Sequence, residues 1–364
     1  MTAPVPPPPA FGRFFLPGPT DVHPEVLAAM QRPMIGHRSG AMEQLLAGIE
    51  APLARLFRTA RPVLVGTTSA TGFMEMAVRN GVRHRALSLV NGSFSERFAK
   101  LVSACGKECV RLDVPLGCAV EPDMLRDTLR RTPVDAVTLV HSETSTGVLQ
   151  DVEALAGVVR EFDDVLLLVD AVTSLAGSPV ETDRWNLDFV LTGSQKALAL
   201  PPGLALGVTS DRMLERARTL PARGLYFDLV SFLEATTKHQ PTNTPAISLL
   251  YALEAQLARI EREGGAEGRW RRHDAMRRRV EEWSEEHGIA YLPREERRSW
   301  TVSCLKVPEG KSAKQLVGAL KQAGWTIGSG YGSLKESTIR IGHMGDHTVA
   351  SLDQLLDLLA GLVA

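Results

Sequence analysis

The chain has 364 residues, a length that suggests two domains or one large domain with an appended lobe. Hydrophobic residues make up 44% and charged residues 23%, a balance that excludes global disorder and allows a large core. Forty-one Lys plus Arg against 42 Asp plus Glu give a formal charge of -1, so no overall field draws nucleic acid or an anionic membrane.

The opening residues, Pro4 and Pro6 to Pro9, favour an extended polyproline arm that leads into Phe14-Phe15-Leu16-Pro17-Gly18-Pro19-Thr20 and docks before the first helix. Helix signals follow at Pro24 to Met30 and Ala41 to Phe57. A pattern then repeats: an apolar run of strand character, a cluster of small or polar residues, and a helical period. Pro62 to Val65 runs into Gly66 to Gly72, and Ala86 to Val90 into Asn91-Gly92-Ser93-Phe94. Ala136 to Val140 runs into His141 to Gly147. Val165 to Val169 ends at Asp170, and Leu187 to Leu191 ends at Thr192-Gly193-Ser194-Gln195-Lys196. Strands alternating with helices predict a largely parallel sheet covered on both faces, with ligands beyond the carboxyl ends of its strands. Helical periods over Ala246 to Arg262 and on to about Glu286 are interrupted at Glu263-Gly264-Gly265. Strand Trp300 to Val307, helix Ser312 to Ala323, strands Trp325 to Gly328 and Ser337 to Ile341, and a helix from His347 complete an α+β lobe. There is no internal repeat. The expected division is an arm over 1–20, a large domain over 21–260 and a small C-terminal domain over 261–364.

Lys196 follows a buried strand and precedes the apolar stretch Ala197-Leu198-Ala199-Leu200. Desolvation lowers an ammonium pKa, and a neutral amine attacks an aldehyde to give a Schiff base; the plainer alternative is a lysine whose head snorkels out of a loop. Asp170 ends an all-aliphatic run, so its carboxylate is either a turn cap or a functional group. An amine and a buried carboxylate together point to pyridoxal phosphate, with Asp170 holding the ring nitrogen protonated. Gly66 to Gly72, ahead of a helical period, offers hydroxyls and helix N-terminal amides for the phosphate.

These segments, in their order and spacing, resemble the class V aminotransferases of fold type I, in particular the alanine–glyoxylate and serine–pyruvate group. The likeness runs through Pro17-Gly18-Pro19-Thr20, Met34 to Ser39, Asn91 to Phe94, Ser142 to Val148, Asp170 to Ser174, Gly193 to Leu198, Thr244 to Ile247 and Arg340 to Gly345. The resemblance implies an α/β fold of type I: a large domain with a mostly parallel mixed sheet between helices, plus a smaller α+β C-terminal domain. It implies that Lys196 forms the Schiff base, Asp170 pairs with the pyridine nitrogen, Phe94 stacks on the ring and Val172 lies against the ring face. Ser69, Ala70, Thr71 and Gln195 would surround the phosphate, with Ser145 near the ring hydroxyl or substrate. Thr242 and Asn243, in the loop Gln240 to Thr244, would complete the phosphate site of a neighbouring subunit in a homodimer. Arg340 would bind the substrate carboxylate by a two-donor fork, near Gly18. The implied reaction is ping-pong transamination from a small L-amino acid, alanine or serine, to glyoxylate or pyruvate.

Other readings remain open from the sequence. A phosphoserine or aminophosphonate aminotransferase would need extra cations, for which His37 and Arg38 of a neighbouring chain are candidates. A desulfurase or lyase would need a reactive cysteine on a mobile loop, whereas Cys304 falls in a predicted strand. A non-enzymatic binding module would leave Lys196, Asp170 and Arg340 without a joint purpose. Cys105 and Cys109 lie four apart but no second Cys/His pair has zinc-site spacing, so no metal is expected. The run Arg269, Arg271, Arg272, Arg277, Arg278, Arg279 is followed by Glu281, Glu282, Glu285 and Glu286, which reads as a solvated helix with internal ion pairs and not as a nucleic-acid site. Four cysteines form no disulfide framework, and neither a basic-then-apolar N-terminus nor a run approaching ~18 apolar residues is present. The expected location is the cytoplasm, with no membrane partner.

Overall fold

A computed structural model describes residues 10–363, so the proline arm expected over Pro4 to Pro9 lies outside the described residues. Strand β1 (Phe14–Phe15) comes first, then helices α1 (Pro24–Ala29) and α2 (Gly40–Phe57). Ser39 starts α2 by accepting a hydrogen bond from Met42 N, and Met42, Leu45, Ile49, Leu53 and Leu56 recur every three or four residues on its buried face. The alternating region is β2 (Leu64–Gly66), α3 (Ala70–Gly81), β3 (Arg85–Val90), α4 (Ser93–Ala104), β4 (Glu108–Asp113), α5 (Pro122–Arg131) and β5 (Ala136–Val140). It continues with a hairpin of β6 (Ser142–Glu143) and β7 (Val148–Leu149), then α6 (Val152–Val159), β8 (Leu166–Asp170), β9 (Phe189–Gly193), β10 (Ala205–Thr209) and α7 (Asp211–Thr219). Helices α8 (Leu229–Thr236), α9 (Ile247–Arg262) and α10 (Gly265–Glu286) lead to β11 (Ser303–Lys306), α11 (Ala313–Gln322), β12 (Thr326–Ser329), β13 (Thr338–Ile341) and α12 (Val349–Val363).

Seven strands form one sheet in the order β2-β10-β9-β8-β5-β3-β4, in which β10 alone runs against the others. Alternation along β8 sends Leu167 and Val169 into one core, with α2, α6 and α9, and Leu166 and Leu168 into the other, with α3 and α7. Both faces are therefore dry, which is why the parallel strands read as unbroken apolar runs. A second sheet, β1-β12-β13-β11, is built from the C-terminal strands and the end of the arm. Phe14 and Phe15 pair in parallel with Thr326 and Ile327, and the fully buried Phe15 joins the third core. The docking expected of the arm is thus a strand pairing. Gly264 and Gly265 break α9 from α10 at φ +99° and +71°, a left-handed turn that a side chain would strain.

Several features depart from the sequence reading. β4 and β10 are additional strands, and β10 makes the sheet mixed through an antiparallel neighbour. Cys105 ends α4 whereas Cys109 lies in β4, so the pair does not share a helix. The arginine helix is only half solvated. Arg277 pairs with Asp274 and Glu281 within α10, as expected, but Arg269, Trp270, His273, Met276, Val280 and Trp283 turn inward on one face. No helix of the described residues is long and apolar enough to cross a membrane.

Candidate active site

Six of the seven large-sheet strands point their carboxyl ends the same way, and the loops leaving β2, β3, β5, β8 and β9 meet there. They enclose a cavity of about 240 Å³ lined by Ser69, Ala70, Thr71, Met74, Phe94, Arg97, Ser142, Thr144, Asp170, Val172, Thr173, Gln195 and Lys196, together with Val140. Eight residues proposed from the sequence thereby come together: Ser69, Ala70, Thr71, Phe94, Asp170, Val172, Gln195 and Lys196.

Asp170 closes β8 and is 2% exposed. Its Oδ1 accepts from Val172 N at 2.7 Å, and burial pushes the carboxyl up to about 7. Lys196 leaves the end of the adjacent strand β9, also buried, with Nζ donating to the Pro17 carbonyl. Burial, with the Arg340 charge as the next cause, pushes the amine down to about 8. Its backbone is held by Thr20, whose N donates to Gln195 O at 3.1 Å and whose Oγ1 donates to Lys196 O at 3.2 Å. Gly18 sits directly on this side chain: at φ +99°, a Cβ there would come within 2.4 Å of Lys196 Cδ.

Also lining the cavity, Ser69 occupies the N-cap of α3 without a capping hydrogen bond from its hydroxyl. The start of that helix therefore faces the cavity with amides and hydroxyls that suit an anion. Phe94 is the second residue of α4, its ring centroid 5.7 Å from Lys196 Nζ.

Arg340, in β13 of the second sheet, does not line the cavity itself but packs against its wall at Thr144. Its Nε donates to Ser329 O at 2.9 Å and its Nη1 to Thr144 O at 3.2 Å, while among the described residues Nη2 has no protein acceptor. Burial lowers its pKa from the ordinary value. Ser145 lines a neighbouring cavity of about 470 Å³ that shares Arg97 with the first. Its hydroxyl accepts from Ser93 N at 2.9 Å and donates to Glu143 at 2.6 Å. Thr242 is half-buried and Asn243 exposed, and neither lines the cavity; nor do His37 and Arg38.

Two residues near the cavity were not singled out from the sequence. Glu143 is fully buried and its carboxylate accepts from Phe94 N, Ser95 N, Ser95 Oγ, Ser145 N and Ser145 Oγ, fixing the first turn of α4. Arg97 lines both cavities and stands 5.1 Å over the Phe94 ring. A helical count of three from Phe94 would have placed Arg97 on the same face; Glu143 had no such signal for its contacts to α4, since Phe94 and Ser95 are 49 and 48 residues away.

The aminotransferase class-V family matches residues 15–355. An uncharacterized aminotransferase of Methanocaldococcus jannaschii is 37% identical over 336 residues, spanning 91% of this chain and 87% of its own. L-aspartate–glyoxylate aminotransferase of Paracoccus denitrificans is 31% identical, spanning 92% of this chain and 87% of its own. Among solved structures, alanine–glyoxylate aminotransferase from Nostoc sp. has a TM-score of 0.92 at 30% identity, with 100% of this chain and 98% of that chain covered.

Proposed function

The chain belongs to the class V aminotransferases, which are pyridoxal-phosphate enzymes of fold type I, and we propose that within them it moves an amino group from a small L-amino acid, alanine or serine, to glyoxylate or pyruvate. The observation that carries this reading is the Lys196 amine and the Asp170 carboxyl buried in one cavity at the ends of adjacent strands. The donor set suits pyridoxal phosphate: an amine made easier to deprotonate by burial, a carboxyl with a dry surface around it, and a helix N-terminus.

When bound, the cofactor supplies an aldehyde for the amine and an electron sink for the substrate's α-carbon. The chain's own residues do the rest in this proposal. Asp170 holds a proton on the ring nitrogen, Phe94 and Val172 confine the ring, and Ser69, Ala70, Thr71 and Gln195 bind the phosphate. Arg340 would offer Nη2 to the substrate carboxylate, and the Lys196 Nζ would carry the proton taken from the substrate's α-carbon. Ser145 acts beside them through its bonds to Glu143 and Ser93. Gly18 leaves the room that substrate and Lys196 need. Thr242 and Asn243 serve the phosphate of a second copy, so the working unit is a homodimer, placed in the cytoplasm.

The names of two similar proteins share glyoxylate as a substrate, which supports that acceptor. A second reading, an acidic or phosphorylated donor, is favoured by Arg97, a cation at both cavities that makes no ion pair among the described residues. The desulfurase reading finds no nucleophile in Cys304, which is buried in β11 with its thiol pushed up to about 11 by burial.

The deciding experiment is a visible spectrum of the cofactor-loaded protein as alanine, serine, aspartate, phosphoserine and cysteine are added singly. Conversion of the band by alanine or serine supports the proposal. Conversion by phosphoserine or aspartate alone moves the assignment to the second reading, and sulfide release from cysteine overturns both.

A further inference from the structure

The fully buried Arg269 lies on α10, outside the cavity, and its two bonds to one carbonyl have no part in the reaction described above. Its Nε and Nη2 both donate to the Ala197 carbonyl, at 3.1 and 2.6 Å, and its Nη1 donates to Asp346 at 2.8 Å and to Glu263 at 3.3 Å. We propose that Arg269 is a positioning residue for Lys196, acting through the Ala197 carbonyl, with Asp346 as its fixed counter-ion. The proposal rests on Lys196 being the reactive amine.

Three observations converge. Ala197 directly follows Lys196, so whatever holds the Ala197 carbonyl fixes the Ala197–Leu198 peptide plane, one residue beyond the Lys196 Cα. The segment from Ser194 to Leu200 has no helix or strand ladder; its turn is closed locally by Ala199 N on Lys196 O at 2.8 Å and Leu200 N on Ser194 O at 3.0 Å. A planar guanidinium with two N–H groups on one oxygen fixes that oxygen in direction as well as distance, which a single lysine ammonium does not.

The same helix also holds the far side of the site. His273, one turn after Arg269, accepts from Gly345 N through Nε2 at 3.1 Å, and Asp346 follows Gly345 in the chain that leads out of β13 from Arg340. α10 therefore ties the Lys196 loop and the Arg340 segment to one another. A buried ion pair of this kind is weak evidence for stability, because apolar replacements of similar volume are often as stable or more so. What such replacements cannot supply is a directed donor for Ala197.

That difference is testable. The double variant R269M/D346N removes both charges, so neither is left buried alone. Its expected kcat is lower by at least about 10-fold with KM for the amino donor within about threefold, because a small displacement of the reacting group costs rate more than affinity. In the cofactor-free protein, amide exchange over residues 194–200 should quicken by about 10-fold or more, as expected when a loop loses its anchor.

R216M serves as the control. Arg216 is also buried and also donates to backbone carbonyls, those of Gly81, Asp135 and Asp164, but at the amino ends of the strands. It should lower Tm while leaving kcat and exchange over 194–200 unchanged. R269Q/D346N, whose amide can still donate to Ala197, should recover most of the lost kcat, and this variant decides the matter if R269M/D346N does not fold. A double variant with wild-type kcat overturns the proposal, as does recovery of Tm in R269Q/D346N without recovery of kcat. If K196A itself stays active, the underlying reading of Lys196 fails instead, while the exchange result still reports on Arg269.

Discussion

Asp170 and Lys196 are shifted in opposite directions by the same cause, the removal of water, and each shift sets a sign for stability against pH. The folded chain holds the Asp170 proton up to about 7, whereas an unfolded aspartate loses it near its ordinary 3.8. Stability from this group is therefore present at low pH and is lost as pH rises through that window. Lys196 loses its proton near 8 when folded and at 10.5 when unfolded, so its contribution rises with pH between those values. The windows do not overlap, and thermal unfolding of the cofactor-free protein separates them. Relative to D170N, the wild type should lose Tm from pH 4 to 7 and then level off; relative to K196A, it should gain Tm above pH 8. A Tm difference from D170N that stays flat from pH 4 to 7 would show that the carboxyl is not desolvated in solution. Asp170 was legible in the sequence because its carboxyl directly follows the aliphatic run Val165 to Val169, and Lys196 because it stands after a buried strand and just before the apolar Ala197 to Leu200. Glu143 and Arg269 were not, because the contacts that give them their roles, from Glu143 to the start of α4 and from Arg269 to Ala197, join chain segments 48 to 72 residues apart.

The elements explain why a cavity forms at this end of the sheet. Strands that run the same way release their loops on one side, and the apolar run that makes each strand also marks where its loop begins. That is why β3, β5, β8 and β9 could be placed from sequence to within a few residues. β4 is an edge strand whose half-exposed Glu108-Cys109-Val110-Arg111-Leu112-Asp113 lacks the aliphatic signature, and β10 follows the Lys196 loop so closely that its short run merged with it. The turn ahead of α1 tests how tightly these elements close on the amine. Gly18 has φ +99° and no space for a side chain, since a Cβ would lie 2.4 to 2.5 Å from the last three atoms of Lys196. Gly18→Ala should strain the backbone by about 1 kcal/mol and push the amine out of line, lowering kcat by roughly 100-fold while the protein remains folded. Steady-state rates with a melting curve check this, and an active variant would mean that the turn yields and the Lys196 head is not confined.

At the scale of the whole molecule, the site is divided between sheets that the chain visits in a looped order: β1 near its start and β13 near its end lie in the second sheet, around the large sheet's strands. Lys196 and Asp170 come from the loops and strands of one sheet and Arg340 from the other, so the proposed site is complete only when both are packed together. The proposed homodimer extends this division to a second chain. Thr242 and Asn243 lie away from their own cavity, in a loop whose Gln240 pairs with Glu43 and which runs on to Ala246, whose N donates to Thr67 Oγ1 at 2.9 Å, so the loop is tethered at both ends beside α2 and β2. Mixing subunits distinguishes a loop that serves a partner from one that only folds back on its own chain. K196A lacks the amine but keeps the loop; T242A/N243A keeps the amine but lacks the loop contacts. If the loop crosses to the partner, a mixed dimer contains one site with both the native Lys196 and a native loop. Random reassortment of equal amounts makes half of the dimers mixed, so about a quarter of all sites regain activity although each parent is nearly inactive. If the loop acts within its own chain, the mixture shows only the average of its parents, because every site then lacks one of the two parts. The measurement is specific activity after dissociation and reassociation of the two variants, compared with simple addition without dissociation.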